Sequence, residues 1–253
     1  MTGRIFHFFA MVFCLTLVFT VSTGLSLSPA TRNYVVKRTA MPVLADGRLD
    51  EPAWQKAERI RFEAKNGGPP KQATTAMMVW DDKFLYIAFQ CEDNDVWSTL
   101  TQRDDPLYNE EVVEVFIDAD SDGETYVEYE INPLGVLFDG YILNRRGDRD
   151  LILAWESKKV RWGVQVAGTL GDLSDTDTGW TVEYAIPLAE IVTGPHTPPR
   201  PGDKWRLNLY RIDRPRGKQD TPSEGSLWSP VSGSTFHDPD CFGEIEFSSD
   251  PVR

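Results

Sequence analysis

Cysteine and histidine are scarce in this chain, at three each in 253 residues. One of each, Cys14 and His7, falls in the apolar start, which leaves Cys91, Cys241, His196 and His237 for the body of the chain. There is no Gly-x-Ser-x-Gly elbow and no His-Glu-x-x-His, so neither a serine triad nor a catalytic zinc has local support. Cys-x-x-Cys-His is also missing, which excludes c-type haem attachment. Basic residues are short as well, with 26 Lys+Arg against 39 Asp+Glu and a formal charge of −13. That balance disfavours a nucleic acid or an anionic membrane surface as partner. It is compatible with neutral ligands and with divalent cations. No repeat at solenoid or propeller periods is present.

One long hydrophobic run exists, Ile5 to Val21, preceded by Arg4 and followed by small residues. Ser22 and Gly24 suit the −3 and −1 positions of a cleavage site after Gly24, so residues 1–24 read as a secretory signal peptide. An uncleaved anchor helix is the competing reading, because a run of 17 residues is at the lower edge of a membrane span. Phe13 stands directly before Cys14, where a lipoprotein signal wants a small residue. The expectation is export to the periplasm or the extracellular space, with no membrane association once the signal is removed. Arg4 is the one charge lost with it, leaving 25 Lys+Arg against 39 Asp+Glu, a formal −14. Export would permit a Cys91–Cys241 disulfide, but two separate buried thiols fit equally well.

After a short tether over residues 25–33, about ten strands alternate with polar turns, and hardly any helix is signalled. Around Asp46-Gly47, a tight turn leads to a short helix with Asp50 as N-cap, Pro52 in its first turn and Trp54 packed under the sheet. Leu85, Ile87 and Phe89 alternate with Phe84, Tyr86 and Ala88, so that strand is apolar on both faces and central. Cys91 closes the same strand. The long loop from Asn94 to Pro106 carries Trp97 and is of a length usually functional or mobile. Trp180, Val182, Tyr184 and Ile186 share one face of a later strand, with Glu183 on the other.

The stretch from Asp104 to Asp139 organises the rest. Val113, Val115 and Ile117 alternate with Glu114 and Phe116, and Val127, Tyr129 and Ile131 alternate with Glu128, Glu130 and Asn132. Two such runs around the Asp/Ser/Gly cluster Asp118 to Glu124 read as a hairpin. Its apolar face must lie on a core. Its acidic and amide face, entered past Tyr108, suits a hydroxyl-rich ligand, because sugars have apolar ring faces that stack on aromatics and hydroxyls that carboxylates and amides read. The plainer reading is that these carboxylates are the wet side of an antiparallel sheet. Asp118-x-Asp120-x-Asp122-Gly123-Glu124 has the oxygen spacing of a calcium loop, but Tyr129 stands where an EF-hand needs its bidentate Glu. A turn rich in Asp is the simpler account.

Six blocks in order carry a family resemblance. They are Asp46-Gly47-x-Leu49-Asp50-Glu51-Pro52-x-Trp54, Val79-Trp80-Asp81-Asp82-x-x-Leu85-Tyr86, Glu111-x-x-Glu114-x-Phe116-Ile117-Asp118, Asn132-Pro133-x-Gly135, Gly179-Trp180-x-x-Glu183-x-x-Ile186-Pro187 and Phe236-His237-x-Pro239-x-x-Phe242-Gly243. Together they resemble a family 9 carbohydrate-binding module over most of the chain, from Val43 to Phe247. The resemblance implies an all-β, jelly-roll-like antiparallel β-sandwich over residues 34–250, with one or two short helices, a non-catalytic role and, often, structural calcium. It also implies that two aromatics clamp the terminal sugar of a xylan or glucan chain, here Tyr108 and Phe236, where the family pattern has tryptophan. The polar readers carry over to Glu114 and Asn132, and to position 130, where the pattern has arginine and this chain has Glu130.

The expected function is therefore carbohydrate binding without cleavage, by a monomer, at Tyr108, Phe236, Glu114, Glu130, Asn132 and Asn208, with Arg206 on the same sheet face. Asp118, Asp120 and Asp122 are the candidate calcium ligands, and no organic cofactor is expected. Three alternatives stay open. Glu114 with Glu130 or Glu183 would be the carboxylate pair of a glycoside hydrolase. Met77 or Met78 with His196 or His237 would be the axial pair of a haem-binding sandwich. Trp97 and the loop Pro195 to Pro201 would serve a protein-docking module.

Overall fold

A computed structural model describes residues 31–145, 148–216 and 222–252 of the chain. The signal segment expected at residues 1–24 and most of the tether lie outside the described residues. Strand β1 (Asn33–Arg38) is followed by helix α1 (Pro52–Lys56) and two short strands, β2 (Ile60–Arg61) and β3 (Glu63–Ala64). Next come three antiparallel pairs: β4 (Thr74–Trp80) with β5 (Phe84–Glu92), β6 (Val112–Asp118) with β7 (Thr125–Ile131), and β8 (Leu137–Arg145) with β9 (Asp148–Ile152). Strands β10 (Arg161–Ala167), β11 (Gly179–Pro187), β12 (Lys204–Asp213), β13 (Glu224–Leu227) and β14 (Gly243–Pro251) complete the fold.

The strands run in the order β10-β11-β5-β4-β1-β14-β12-β6-β7-β8-β9. This ladder folds back on itself into two layers. One side contributes Met78, Phe89, Val182 and Tyr184 to the core, the other Val115, Tyr129, Leu207 and Ile245, all buried in a single apolar cluster. Across that interior the Tyr184 hydroxyl donates to the Val113 carbonyl at 3.0 Å. Each fully buried large apolar side chain is worth about 1.5–3 kcal/mol, so the period-2 pattern sets which face turns inward. The β-sandwich expected from that pattern is the fold observed. It has more strands than anticipated because several are only two to five residues long. One seam is also parallel, since β1 lies parallel to both β14 and β4.

Strand β5 is central as expected. Leu85, Ile87 and Phe89 enter the main core, while Tyr86 and Ala88 turn outward to a second cluster under α1 that contains Trp54 and Met77. The helix has Pro52 in its first turn, but Glu51 rather than Asp50 occupies the N-cap and no side chain caps it. Its anchor is instead Trp54, whose indole N–H donates to Glu183 Oε1 at 2.6 Å. The other oxygen, Oε2, accepts the Asp46 and Gly47 backbone N–H groups at 3.0 and 2.7 Å. At Gly47, φ is +85°, and a Cβ would come within 2.6 Å of the Val164 backbone, so only glycine allows the turn to sit on β10. Glu183 is thus a buried tie between the amino-terminal turn and β11. Cys91 and Cys241 are free and both buried; of the two readings the sequence allowed, separate thiols are what the structure contains. Burial pushes the Cys91 thiol up to about 12.

Candidate functional site

The outward faces of β6 and β7 carry the site. Register sets Glu114 opposite Glu130 and Phe116 opposite Glu128, which brings three carboxylates together. One oxygen of each lies within 4.8 Å of an oxygen from both others. These groups do not form a wet sheet face: Glu114, Glu128 and Glu130 are 2, 4 and 1% exposed. Walls rise around them on three sides. The 3₁₀ turn Leu107–Asn109 brings in Tyr108. Strand β9 brings in Arg149 and Leu151, and Leu151 packs so closely over Gly140 that a Cβ there would meet it at 2.6 Å. The loop ahead of β14 brings in Phe236 and His237. Between these walls is a cavity of about 410 Å³.

Each wall is held in place. Phe236 stacks on Tyr210 with ring centroids 4.3 Å apart and planes 14° from parallel, and the Tyr210 hydroxyl donates to the Phe236 carbonyl at 2.8 Å. The Lys65 ammonium stands 5.2 Å from the Phe236 ring centroid. His237 is hydrogen-bonded through Nδ1 to the Tyr126 hydroxyl at 2.7 Å. Burial, then the Arg149 charge, pushes its imidazole down to about 3, so it is neutral at working pH. Tyr108 leaves nearly half its surface, 47%, exposed at the mouth. Glu130 Oε2 is buried without a partner.

Burial drives the carboxyl groups of Glu114 and Glu130 well above the usual carboxylate range, and the neighbouring glutamates push them the same way. Glu128 rises to about 7, again by burial, with Glu130 and Arg149 holding it down. An acid whose pKa is raised on folding binds more protons folded than unfolded. Its stabilising contribution is therefore complete below the unfolded value and lost as pH rises through the folded one. Thermal melts should accordingly show Tm falling from pH 5 to pH 8. Glu128 alone accounts for on the order of 3 kcal/mol, or a decline of about 5–10 °C, and Glu114→Gln should flatten the profile. A Tm that is level or rising over that interval would contradict this.

Residues 45–249 match the family described as carbohydrate family 9 binding domain-like. The chain belongs to that family. It is 26% identical over 186 residues to an extracellular protein of Arthroderma benhamiae, covering 70% of this chain and 80% of that one. It is 25% identical over 215 residues to exoglucanase XynX of Acetivibrio thermocellus, covering 83% of this chain but only 17% of the enzyme. Among solved structures, a Bacteroides uniformis protein proposed to bind carbohydrate superposes over 86% of this chain and all of its own, with TM-score 0.68 and 18% identity. A family 9 module from Caldicellulosiruptor kristjanssonii, in complex with cellotriose, superposes over 86% of this chain and 94% of its own, with TM-score 0.59 and 16% identity.

Four of the six side chains that the sequence assigns to a carbohydrate site line the cavity: Tyr108, Phe236, Glu114 and Glu130. Asn132 and Asn208 do not, and this corrects the expectation. Asn132 is fully buried, donating to Ser98 Oγ and the Leu100 carbonyl while accepting the Val136 N–H. Its amide is spent on fixing the loop that precedes Tyr108. Asn208 is likewise buried, donating to the Tyr210 hydroxyl at 2.9 Å and the Ser229 carbonyl at 2.8 Å, so it supports the ring on which Phe236 rests. Arg206 pairs in register with Asp118, at the turn end of β6. The sequence reading missed Glu128, Arg149 and His237. Glu128 shares a face with Glu130 at the strand period and could have been included. Arg149 could not, because the charged run 145–150 reads as a turn and is in part β9.

The alternatives fare differently. Glu183 lies under α1 on the opposite layer, so it forms no pair with Glu114. Glu114 and Glu130 are side by side on one wall and do not flank a cleft as a glycosidase pair must. Met77 packs in the outer cluster of one layer and His237 in the outer cluster of the other, while Met78 points between the layers. His196 Nδ1 is engaged by Asp203 at 2.9 Å. Trp97 donates its indole N–H to the Arg214 carbonyl. In the β6–β7 turn, Asp118, Asp120 and Asp122 do converge, with oxygens within 4.8 Å of one another. Asp118 Oδ1 is buried without a partner, and burial, with Asp120 and Asp122 adding to it, raises its carboxyl to about 7. An orphaned buried carboxylate oxygen among three is a donor set that fits calcium.

Proposed function

We propose that this family 9 chain binds carbohydrate in the cavity between Tyr108 and Phe236 and does not cleave it. The observation that carries the reading is the juxtaposition, around one opening of about 410 Å³, of two aromatic walls and three carboxylates. A pyranose stacks its C–H faces on rings and donates its hydroxyl protons to carboxylates. Relatives named exoglucanase and endo-1,4-beta-xylanase, and solved family 9 modules in complex with cellotriose and glucose, make glucan and xylan oligomers the first ligands to try. The apolar run at residues 5–21 and the extracellular relative support a protein that works outside the cytoplasm. An array of plant and bacterial glycans tests the proposal, and silence across it would overturn the carbohydrate reading.

Calcium, in this proposal, is held by Asp118, Asp120 and Asp122 and braces the β6–β7 turn. Saturating Ca²⁺ should raise Tm, by about 5–10 °C at a hundredfold excess over Kd. Asp118→Asn should abolish that rise, and a calcium response that survives the substitution would place the ion elsewhere.

A further inference from the structure

We propose that the cavity selects a sugar bearing a free amine, such as a glucosamine unit, through the carboxylates of Glu114, Glu128 and Glu130. The inference rests on reading this cavity as a carbohydrate site and narrows the ligand class. Three carboxylates meet in the cavity, yet only Arg149, on the β9 side, bears on them, and it bears on Glu128. Among the described residues no cation accompanies Glu114 or Glu130. Glu130 Oε2, buried at the cavity and unpartnered, is an acceptor waiting for a donor.

A hydroxyl would satisfy one such acceptor but would bring no charge. An ammonium brings three N–H donors and a positive charge together, and the exposed Tyr108 ring at the mouth favours a cation further. The other walls are apolar, from Phe138, Ile142 and Leu151. They suit the C–H faces of a sugar ring, and the EDTA arm of the test separates an ammonium from a divalent cation on the same carboxylates. The arrangement therefore fits a ring with one cationic substituent.

Binding of an ammonium requires ionised glutamates, so affinity should rise with pH as they lose protons and fall once the sugar amine loses its own. The titratable groups facing the trio are Arg149 from β9, His237 and Tyr126 beside it, Tyr210 from β12 and Tyr184 from beneath. Lys65 stands beyond, over Phe236. His237 is neutral throughout, which leaves the glutamates to set the acidic limb.

Calorimetric titration of the full chain with a glucosamine hexamer, its N-acetylated counterpart and cellohexaose, with and without EDTA, tests this. The glucosamine hexamer is expected to bind at least tenfold more tightly than either of the others, with EDTA making no difference. Glu130→Gln should lose that preference, so that the glucosamine hexamer and cellohexaose bind the variant equally. Equal or tighter binding of the neutral hexamers overturns the amine proposal but leaves the carbohydrate reading intact. Failure of all three to bind overturns the amine proposal, with silence on the glycan array needed to overturn the carbohydrate reading as well, and binding abolished by EDTA in the Asp118→Asn chain too assigns the three glutamates to a metal. If Glu130→Gln does not fold, the ranking of the three hexamers by the unaltered chain decides.

Discussion

Tyr108→Ala should weaken carbohydrate binding at least tenfold while leaving Tm within a degree or two of the parent. A tenfold loss corresponds to about 1.4 kcal/mol, within the range of a ring contact plus the area it buries. The separation of the two effects follows from how the turn is built. Leu107 is completely buried and anchors the 3₁₀ turn. Tyr108 is 47% exposed, so removing its ring strips the mouth of the cavity and little else. Titration calorimetry on a bound oligosaccharide, with a melt of each protein, checks both halves. Unchanged affinity would remove Tyr108 from the site.

The largest loss of stability is expected at Arg211. Its side chain is completely buried and donates from Nη1 to the Glu92 carbonyl at 2.8 Å and Thr74 Oγ1 at 3.2 Å. Nη2 pairs with Asp93 at 2.8 Å, with Glu111 and Asp213 at 3.8 and 3.9 Å. Arg211→Ala leaves these carboxylates without their counter-charge, which should cost about 3–5 kcal/mol, or about 6–20 °C in Tm. Glu111 already lies well above the usual carboxylate range through burial and the Asp93 charge, with Arg211 opposing. Part of the loss should therefore be recovered at pH 5, where the stranded acids take up protons. A variant melting within about 3 °C of the parent at neutral pH, the shift of a single surface contact, would show the cluster to be dispensable.

Much of this architecture is legible in local pattern. The β6–β7 hairpin, the two-faced β5 and the burial of Trp54 follow from alternation and from the cost of leaving large apolar groups in water. What escaped is set at long range. Asn132 and Asn208 look like ligand readers because an amide on an outward strand face has spare hydrogen-bonding capacity, and only the packed loops reveal that it is consumed. Arg149 was hidden because a short edge strand with alternating charges has the same composition as a turn. The burial of the glutamate trio depends on the loop with Phe236 returning more than a hundred positions later in the chain, which no window along β6 or β7 contains. Likewise, nothing local marks β1 as lying parallel to its neighbours.

That parallel seam governs the order in which the protein can assemble. Asn33, Tyr34 and Val35 lie against Glu244, Ile245 and Glu246, so although β4 pairs with the end of β1 early, the longer pairing of β1 waits for nearly the whole chain. Closure of so distant a pairing is slow, and until then the neighbouring edges of β1 and β12 are bare ribbons able to capture another nascent chain. Substitutions that loosen β14 should therefore reveal themselves first as poor refolding yield, with carbohydrate recognition intact in every molecule that completes the seam.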